Sequence, residues 1–380
     1  MSGKNISYFT PSITDDEISE VLDTLKSGWL TMGPKTIAFE EQIAEYTGAK
    51  YAVAVNSCTA ALHLSLIGLG IGSGDEVITT PFTFASTGNV IVHTGAKPVF
   101  VDIQPDTYNI DPELIKEAIT PKTKAIIPVH YAGQPCDIQA ITEIASDYNV
   151  KVIEDAAHAI GAEYKGNKIG CFGDTTCFSF YATKNMTTGD GGAVTTNDKK
   201  LADRMRSLRL HGITKDAWKR YSDQGSWYYE IEVCGWKYNM TDIQAAIGLH
   251  QIKKLDEFCN IRREYADMYN KALSDCDGLI TPRIVGDVKH VFHLYPLLLE
   301  DYDRSQFIKH MNSAGIGCSV HFIPLHLHPF YREAYGFTYG DYPVAESVYE
   351  REVSLPLYPK MPLTDVHYVI QKTLEIIKHE

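Results

Sequence analysis

From residue 50 to about 200, short apolar runs alternate with amphipathic stretches of helical period. The runs 51–55, 76–80, 97–102, 124–129 and 151–155 are rich in Val and Ile and predict strands, whereas 59–69, 111–119 and 137–148 between them predict helices. Apolar strands separated by helices imply βαβ units and a mainly parallel sheet covered by helices on both faces. Two further runs, 176–180 and 193–196, predict strands six and seven of the same sheet, with a helix at 199–210 behind them. Past about residue 250 the texture changes: a long helix over 241–270 leads into a part punctuated by Pro, Gly and His, with 291–299, 317–324 and a closing helix at 365–378. The pattern predicts an α/β fold with a large domain over 1–250, N-terminal segment included, and a smaller C-terminal α+β domain over 251–380. The polar, aromatic stretch 214–235, with Trp218, Trp227, Tyr228 and Tyr229, is expected to be a long functional loop or a partner-facing excursion.

In open α/β sheets ligands bind beyond the carboxyl ends of the strands. Asp155 ends one run, the loop after Val55 ends another, and Phe84 lies just past a third, so all three are expected to face one crevice.

Composition narrows the function classes. A chain of 380 residues with 44% apolar and 22% charged positions matches a soluble globular enzyme with room for two domains. A net charge of −13 argues against wholesale binding to nucleic acid or anionic membrane, though a local basic pocket can still take an anionic substrate. The eight cysteines are scattered, without a C-x-x-C pair, and read as reduced thiols. The first residues carry no apolar leader pattern, and no run approaches the roughly 18 apolar residues of a membrane span. A cytoplasmic location is expected.

Candidate chemistry centres on Phe178-Ser179-Phe180-Tyr181-Ala182-Thr183-Lys184-Asn185, followed by Thr187-Thr188-Gly189-Asp190-Gly191-Gly192. A lone lysine stands between a strand-like run and a Gly-rich turn, in a stretch of low charge. Upstream, Glu154-Asp155-Ala156-Ala157-His158 closes another run with a carboxylate. Pyridoxal 5′-phosphate (PLP) chemistry needs an amine to hold the aldehyde as a Schiff base and an anion to keep the pyridine nitrogen protonated. Lys184 and Asp155 are the candidates. Asn56-Ser57-Cys58-Thr59-Ala60-Ala61 opens a helix after a strand, either as a phosphate cradle of free N–H groups or as a plain N-cap by Ser57. Ser179 can add a hydroxyl to the same phosphate or be a buried strand serine. Phe84 can stack on a flat cofactor or belong to the core, and His158 can orient Asp155 or meet a ring substituent. His321, His326 and His328 suggest a metal at first sight, but spacings of five and two suit no single helical face and no carboxylate falls among them, so pocket lining is the better reading.

Taken in order, these residues resemble the DegT/DnrJ/EryC1/StrS family of PLP-dependent sugar aminotransferases, a branch of the fold type I (aspartate aminotransferase) superfamily. The resemblance runs from Ser27-Gly28-Trp29-Leu30-Thr31-Met32-Gly33-Pro34 through Gly74-Asp75-Glu76-Val77-Ile78, the Asp155 and Lys184 segments and Met240-Thr241-Asp242-Ile243-Gln244, to Ser354-Leu355-Pro356-Leu357-Tyr358-Pro359. It implies Lys184 as the Schiff-base lysine, Asp155 as partner of the pyridine nitrogen, Phe84 and Ala157 on the two ring faces with His158 nearby, and Thr59, Ala60 and Ser179 at the phosphate. It further implies a homodimer whose neighbouring subunit reaches the phosphate from a G-Y-N-Y-R-M-type segment. Here that segment reads Gly235-Trp236-Lys237-Tyr238-Asn239-Met240, which leaves either Lys237 or Asn239 for the contact. The implied reaction moves an amino group from glutamate to the 4-keto group of a nucleotide-linked deoxysugar, with UDP favoured, in surface glycan biosynthesis. Trp29, His321 and His326 are the candidates for substrate selection. The alternatives are a dehydratase or lyase acting on a related sugar, against which Lys184 speaks because such relatives carry histidine there, and a non-catalytic regulator, for which no DNA-binding helix pair is seen.

Overall fold

The structure is a computed structural model that describes residues 4–213 and 229–378. Trp218, Trp227 and Tyr228 of the aromatic excursion lie outside the described residues. Each of the seven apolar runs forms a strand. They are β1 (Tyr51–Val55), β2 (Glu76–Thr79), β3 (Lys97–Phe100), β4 (Thr123–Ile127), β5 (Lys151–Asp155) and, after a small hairpin of β6 (Glu163–Tyr164) and β7 (Asn167–Lys168), β8 (Thr175–Ser179) and β9 (Gly192–Thr196). The sheet order is β1-β9-β8-β5-β4-β2-β3. Only β9 runs against its neighbours, pairing antiparallel with both β1 and β8; the remaining pairs are parallel.

Both faces of this sheet are buried, which is why its strands read as near-continuous apolar runs. Side chains alternate between two clusters. Ile126, Val152 and Phe178 join Phe39, Ile43 and Leu255 on one face, and Ile127, Ile153 and Cys177 join Leu62, Leu64 and Leu201 on the other. Helix Cys58–Gly68 starts directly after β1, and Ser57 Oγ accepts from the Ala60 N–H at 3.1 Å to cap it. The helix start lies tight on the sheet at Gly192, where an added Cβ meets Ser57 C at 2.6 Å and Cys58 N at 2.7 Å. A side chain there pushes the helix start away from the strand ends.

A 32-residue helix, Asp242–Leu273, spans about 48 Å at the usual rise and carries the chain from one core to another. Residue 250 falls inside it. Its Ala245, Ile252, Leu255 and Cys259 pack under the large sheet, while Tyr265, Tyr269 and Leu273 pack in a third cluster with Tyr295, Phe307 and Val353. That cluster lies against a sheet of β10 (Leu279–Ile280), β12 (Tyr295–Leu299) and β13 (Glu352–Leu355), and it also takes in Ile6. Strand β11 (Val288–Lys289) pairs instead with β6. No helix among the described residues is long and apolar enough to cross a membrane.

Two of the sequence motifs meet here. Asp242, 2% exposed, accepts from the Gly33 N–H at 2.8 Å and from Thr36 N and Oγ1 at 2.9 and 2.6 Å through Oδ1, and from Lys35 N at 3.1 Å through Oδ2. It satisfies the orphan donors at the start of helix Pro34–Thr47 with a buried charge. Asp242→Ala is therefore expected to lower the unfolding free energy by about 3 kcal/mol, through buried donors left unpaired. Urea denaturation checks this. A loss below about 1 kcal/mol refutes the assignment, being the size of one ordinary hydrogen bond.

Candidate active site

The carboxyl ends of β1, β5 and β8 lie on one edge of the sheet, and each leads into the wall of a single cavity of about 630 Å³. Asp155 comes from the last position of β5, Ser179 from the last position of β8, and Lys184 from the turn that links β8 to β9. Thr59 stands at the start of helix Cys58–Gly68, and Phe84 is the N-cap residue of helix Ala85–His93. Ala157, His158 and His321 complete the anticipated residues in the wall.

Asp155 is 4% exposed, with Oδ2 accepting from Thr87 Oγ1 at 2.8 Å and Oδ1 from the Ala157 N–H at 3.1 Å. Burial pushes its pKa upward against those two hydrogen bonds and the charge of Lys184. Burial also draws the Lys184 amine down to a pKa of about 8, against the opposing pull of Cys58 and Asp155. His158 is buried, its pKa pushed far below the usual value by desolvation and then by Lys184, so its imidazole is neutral. Its Nδ1 is buried with no hydrogen-bond partner among the described residues. The Phe84 ring is 62% exposed, its centroid 6.0 Å from that of Phe322. His321 donates its backbone N–H to Glu352 Oε2 at 2.8 Å and places Nδ1 2.9 Å from Ser354 Oγ; burial lowers its pKa to about 4.

The other anticipated residues lie elsewhere. The Ala60 N–H is committed to the Ser57 cap and Ala60 is absent from the wall, whereas Ser57, Cys58 and Thr59 of the same helix start line the cavity. Trp29 donates from Nε1 to Met32 O at 3.2 Å, away from this chain's cavity. Asn239 is buried, with Nδ2 donating to Met240 O at 3.1 Å, whereas Lys237 is exposed. His326 is fully buried with Nε2 2.7 Å from Glu346 Oε1. As the middle of the short turn Leu325–Leu327 it packs on Tyr342, so it belongs to the core and not to the pocket. The sequence reading passed over Tyr8, Phe9, Thr87 and His293. Of these only His293 carried a signal, as a lone polar residue inside the apolar run Val291-Phe292-His293-Leu294-Tyr295.

A desolvated amine, a buried anion and an uncovered aromatic ring around one cavity form the working parts of a group-transfer enzyme. The chain belongs to the DegT/DnrJ/EryC1/StrS aminotransferase family, which matches residues 11–374. It is similar to the spore coat polysaccharide biosynthesis protein SpsC of Bacillus subtilis (strain 168), at 52% identity over 376 residues covering 98% of this chain and 97% of that protein. It is also similar to the UDP-4-amino-4-deoxy-L-arabinose--oxoglutarate aminotransferase of Shewanella sediminis (strain HAW-EB3), at 42% identity over 387 residues covering 99% of each. A solved structure described as "Putative sugar aminotransferase Spr1654 from Streptococcus pneumoniae, PMP-form" superposes with a TM-score of 0.93 at 37% identity, covering 99% of this chain and 100% of that one. The PLP form of the same protein gives 0.92 at 36% identity, covering 99% of each chain.

Proposed function

We propose that this aminotransferase uses PLP to move an amino group from glutamate to the 4-keto group of a nucleotide-linked deoxysugar, with UDP the favoured nucleotide. One observation carries the reading: the Lys184 amine and the Asp155 carboxylate line the same cavity, beside an exposed Phe84 ring and the orphan His158 Nδ1. The residues fit the cofactor. Lys184 Nζ would hold its aldehyde end, Asp155 its ring nitrogen, Phe84 and Ala157 its two faces, His158 Nδ1 a ring substituent, and Thr59 and Ser179 its phosphate. When bound, the group supplies an electron sink that lets the α-proton of an amino acid leave.

The chain's own residues do the rest. The Asp155 carboxylate keeps the ring nitrogen protonated through a charge-assisted hydrogen bond, and Thr87 and the Ala157 N–H hold that carboxylate in place. The Lys184 amine, desolvated and therefore readily neutral, would take the proton from the donor's Cα and hold it on Nζ; on the sugar half of the cycle it would deliver a proton to the carbon that gains the amine. His321 and, from a neighbouring subunit, Trp29 are the candidates for gripping the sugar. The site is completed in a homodimer, with Lys237 reaching the partner's phosphate: it is exposed, whereas the Asn239 amide is already engaged at home. The name of the Shewanella relative pairs a UDP-linked 4-amino sugar with oxoglutarate, the keto acid left when glutamate gives up its amine, and SpsC is named for a coat polysaccharide. The first name supports a 4-keto nucleotide sugar with glutamate as donor, and the second a surface glycan as destination.

The test is incubation with PLP, glutamate and a panel of UDP-, dTDP- and GDP-linked 4-keto sugars, reading the aminated sugar by mass. Amine on the UDP sugar, with release of oxoglutarate, is expected; a panel left wholly unaminated overturns the reading. A second expectation concerns pH. The neutral amine is the nucleophile, so capture of PLP by the cofactor-free protein should speed up as pH rises and level off above about 8. Stopped-flow absorbance follows this directly, and a rate still climbing at pH 10 counts against a desolvated Lys184.

A further inference from the structure

His293 is a buried imidazole beside Lys184 that none of these roles uses. It lies between β11 and β12, 7% exposed, with Nε2 3.5 Å from Lys184 Nζ. Its other nitrogen decides what that contact is. Nδ1 is 3.2 Å from Asn185 Oδ1. The Asn185 amide is itself oriented, because its Nδ2 donates to Val291 O at 3.2 Å and lies 3.7 Å from Cys259 Sγ, which turns the oxygen toward His293. An amide oxygen only accepts, so the imidazole proton resides on Nδ1 and the Nε2 lone pair faces the lysine amine. The ring is neutral in this setting, since burial and then the charges of Lys184 and Arg262 disfavour its protonation.

We propose that His293 is the positioning residue of the Lys184 amine, accepting a hydrogen bond from Nζ whenever that amine is not covalently engaged. This rests on the proton-carrying role given to Lys184 above. A lysine side chain has a long flexible stem, and an amine released from the cofactor otherwise samples several rotamers. Anchored at His293, which Asn185 anchors in turn, the nitrogen stays in the cavity for the next proton transfer. Misplacement of such a group by about 1 Å can cost on the order of 100-fold in rate.

Lys184 can be titrated without the cofactor, by following its carbamylation with cyanate against pH in the cofactor-free full chain and reading the modified peptide by mass spectrometry. His293→Phe keeps a buried ring but no acceptor. It should lower the apparent pKa of Lys184 by about one unit, because the ammonium loses its partner. In the PLP-loaded enzyme the same variant should lower kcat at least about tenfold with KM for both substrates unchanged, the signature of a misplaced proton carrier. His293→Gln, which retains an acceptor, should recover most of both effects, and Asn185→Leu, which frees the tautomer, should fall between Phe and wild type. The inference is overturned if Lys184 titrates in His293→Phe as it does in the wild type, or if Gln is as impaired as Phe. Should His293→Phe fail to fold, the Asn185→Leu titration decides in the same way. The carbamylation result stands even if no sugar is aminated, whereas failure of the PLP reading shows separately, as colour that survives loss of Lys184.

Discussion

Lys184→Ala is expected to stay folded, to lose the yellow colour that PLP gives the wild-type protein, and to lose about 10⁴-fold or more of its transamination rate, because the nucleophile and the proton carrier are the same nitrogen. The geometry makes this a chemical deletion and not a structural one. Among the described residues the amine's one hydrogen-bond contact is His293, and the amine bears a desolvation cost that depresses its pKa to about 8. Removing it frees the fold of a partly buried, desolvated charge at neutral pH, so melting temperature should not fall as activity does. Added small primary amines should recover part of the rate, since the wall of Asp155, Phe84 and His158 remains to hold the cofactor. Retained colour near the wild-type level refutes the assignment of Lys184.

Asp155→Asn should behave differently. The variant keeps its colour, because Lys184 is untouched, yet loses about 10²- to 10⁴-fold in kcat, the range typical of removing a charge aimed at the electron-accepting end of a reaction. Asparagine fits the same space. Its Oδ1 can still accept from the Ala157 N–H, and its amide can donate to Thr87 Oγ1, whose hydroxyl already shares a 2.8 Å contact with Thr83. The substitution therefore removes charge with little change in shape. Stability supplies a second readout. Burial raises the Asp155 pKa above 3.8, so between 3.8 and that raised value the folded chain holds a proton that the unfolded chain has lost. The cofactor-free wild type must lose stability as pH rises through this window, and Asp155→Asn must lack that component. A variant with unchanged kcat and an unchanged pH–stability curve removes Asp155 from the role.

That these two residues line one cavity was legible because each sits where a local pattern changes: Asp155 closes an apolar run and Lys184 separates such a run from a Gly-rich turn. Phe84 was legible for the same reason, and its 62% exposure marks it as a ring with a face to offer. His326 shows the limit of that kind of signal. A histidine in a His-rich stretch looks the same whether it faces a cavity or a neighbour, and here the neighbour is Glu346. His293 and Thr87 were missed because a strand-like run and a helix start hide their polar members until another element supplies a partner.

Short apolar runs set between stretches of helical period by themselves determined the seven strands, the helices between them and the edge on which the chemistry gathers, since period and burial are properties of neighbouring residues. The tertiary structure alone decided that β9 inserts antiparallel between β1 and β8, that Asp242 secures a helix start 209 residues earlier in the chain, and that Asn185 and His293 stand in line behind Lys184. The reason is physical: contacts between remote segments are selected by the closure of the whole core, and such contacts leave no periodic mark on either segment.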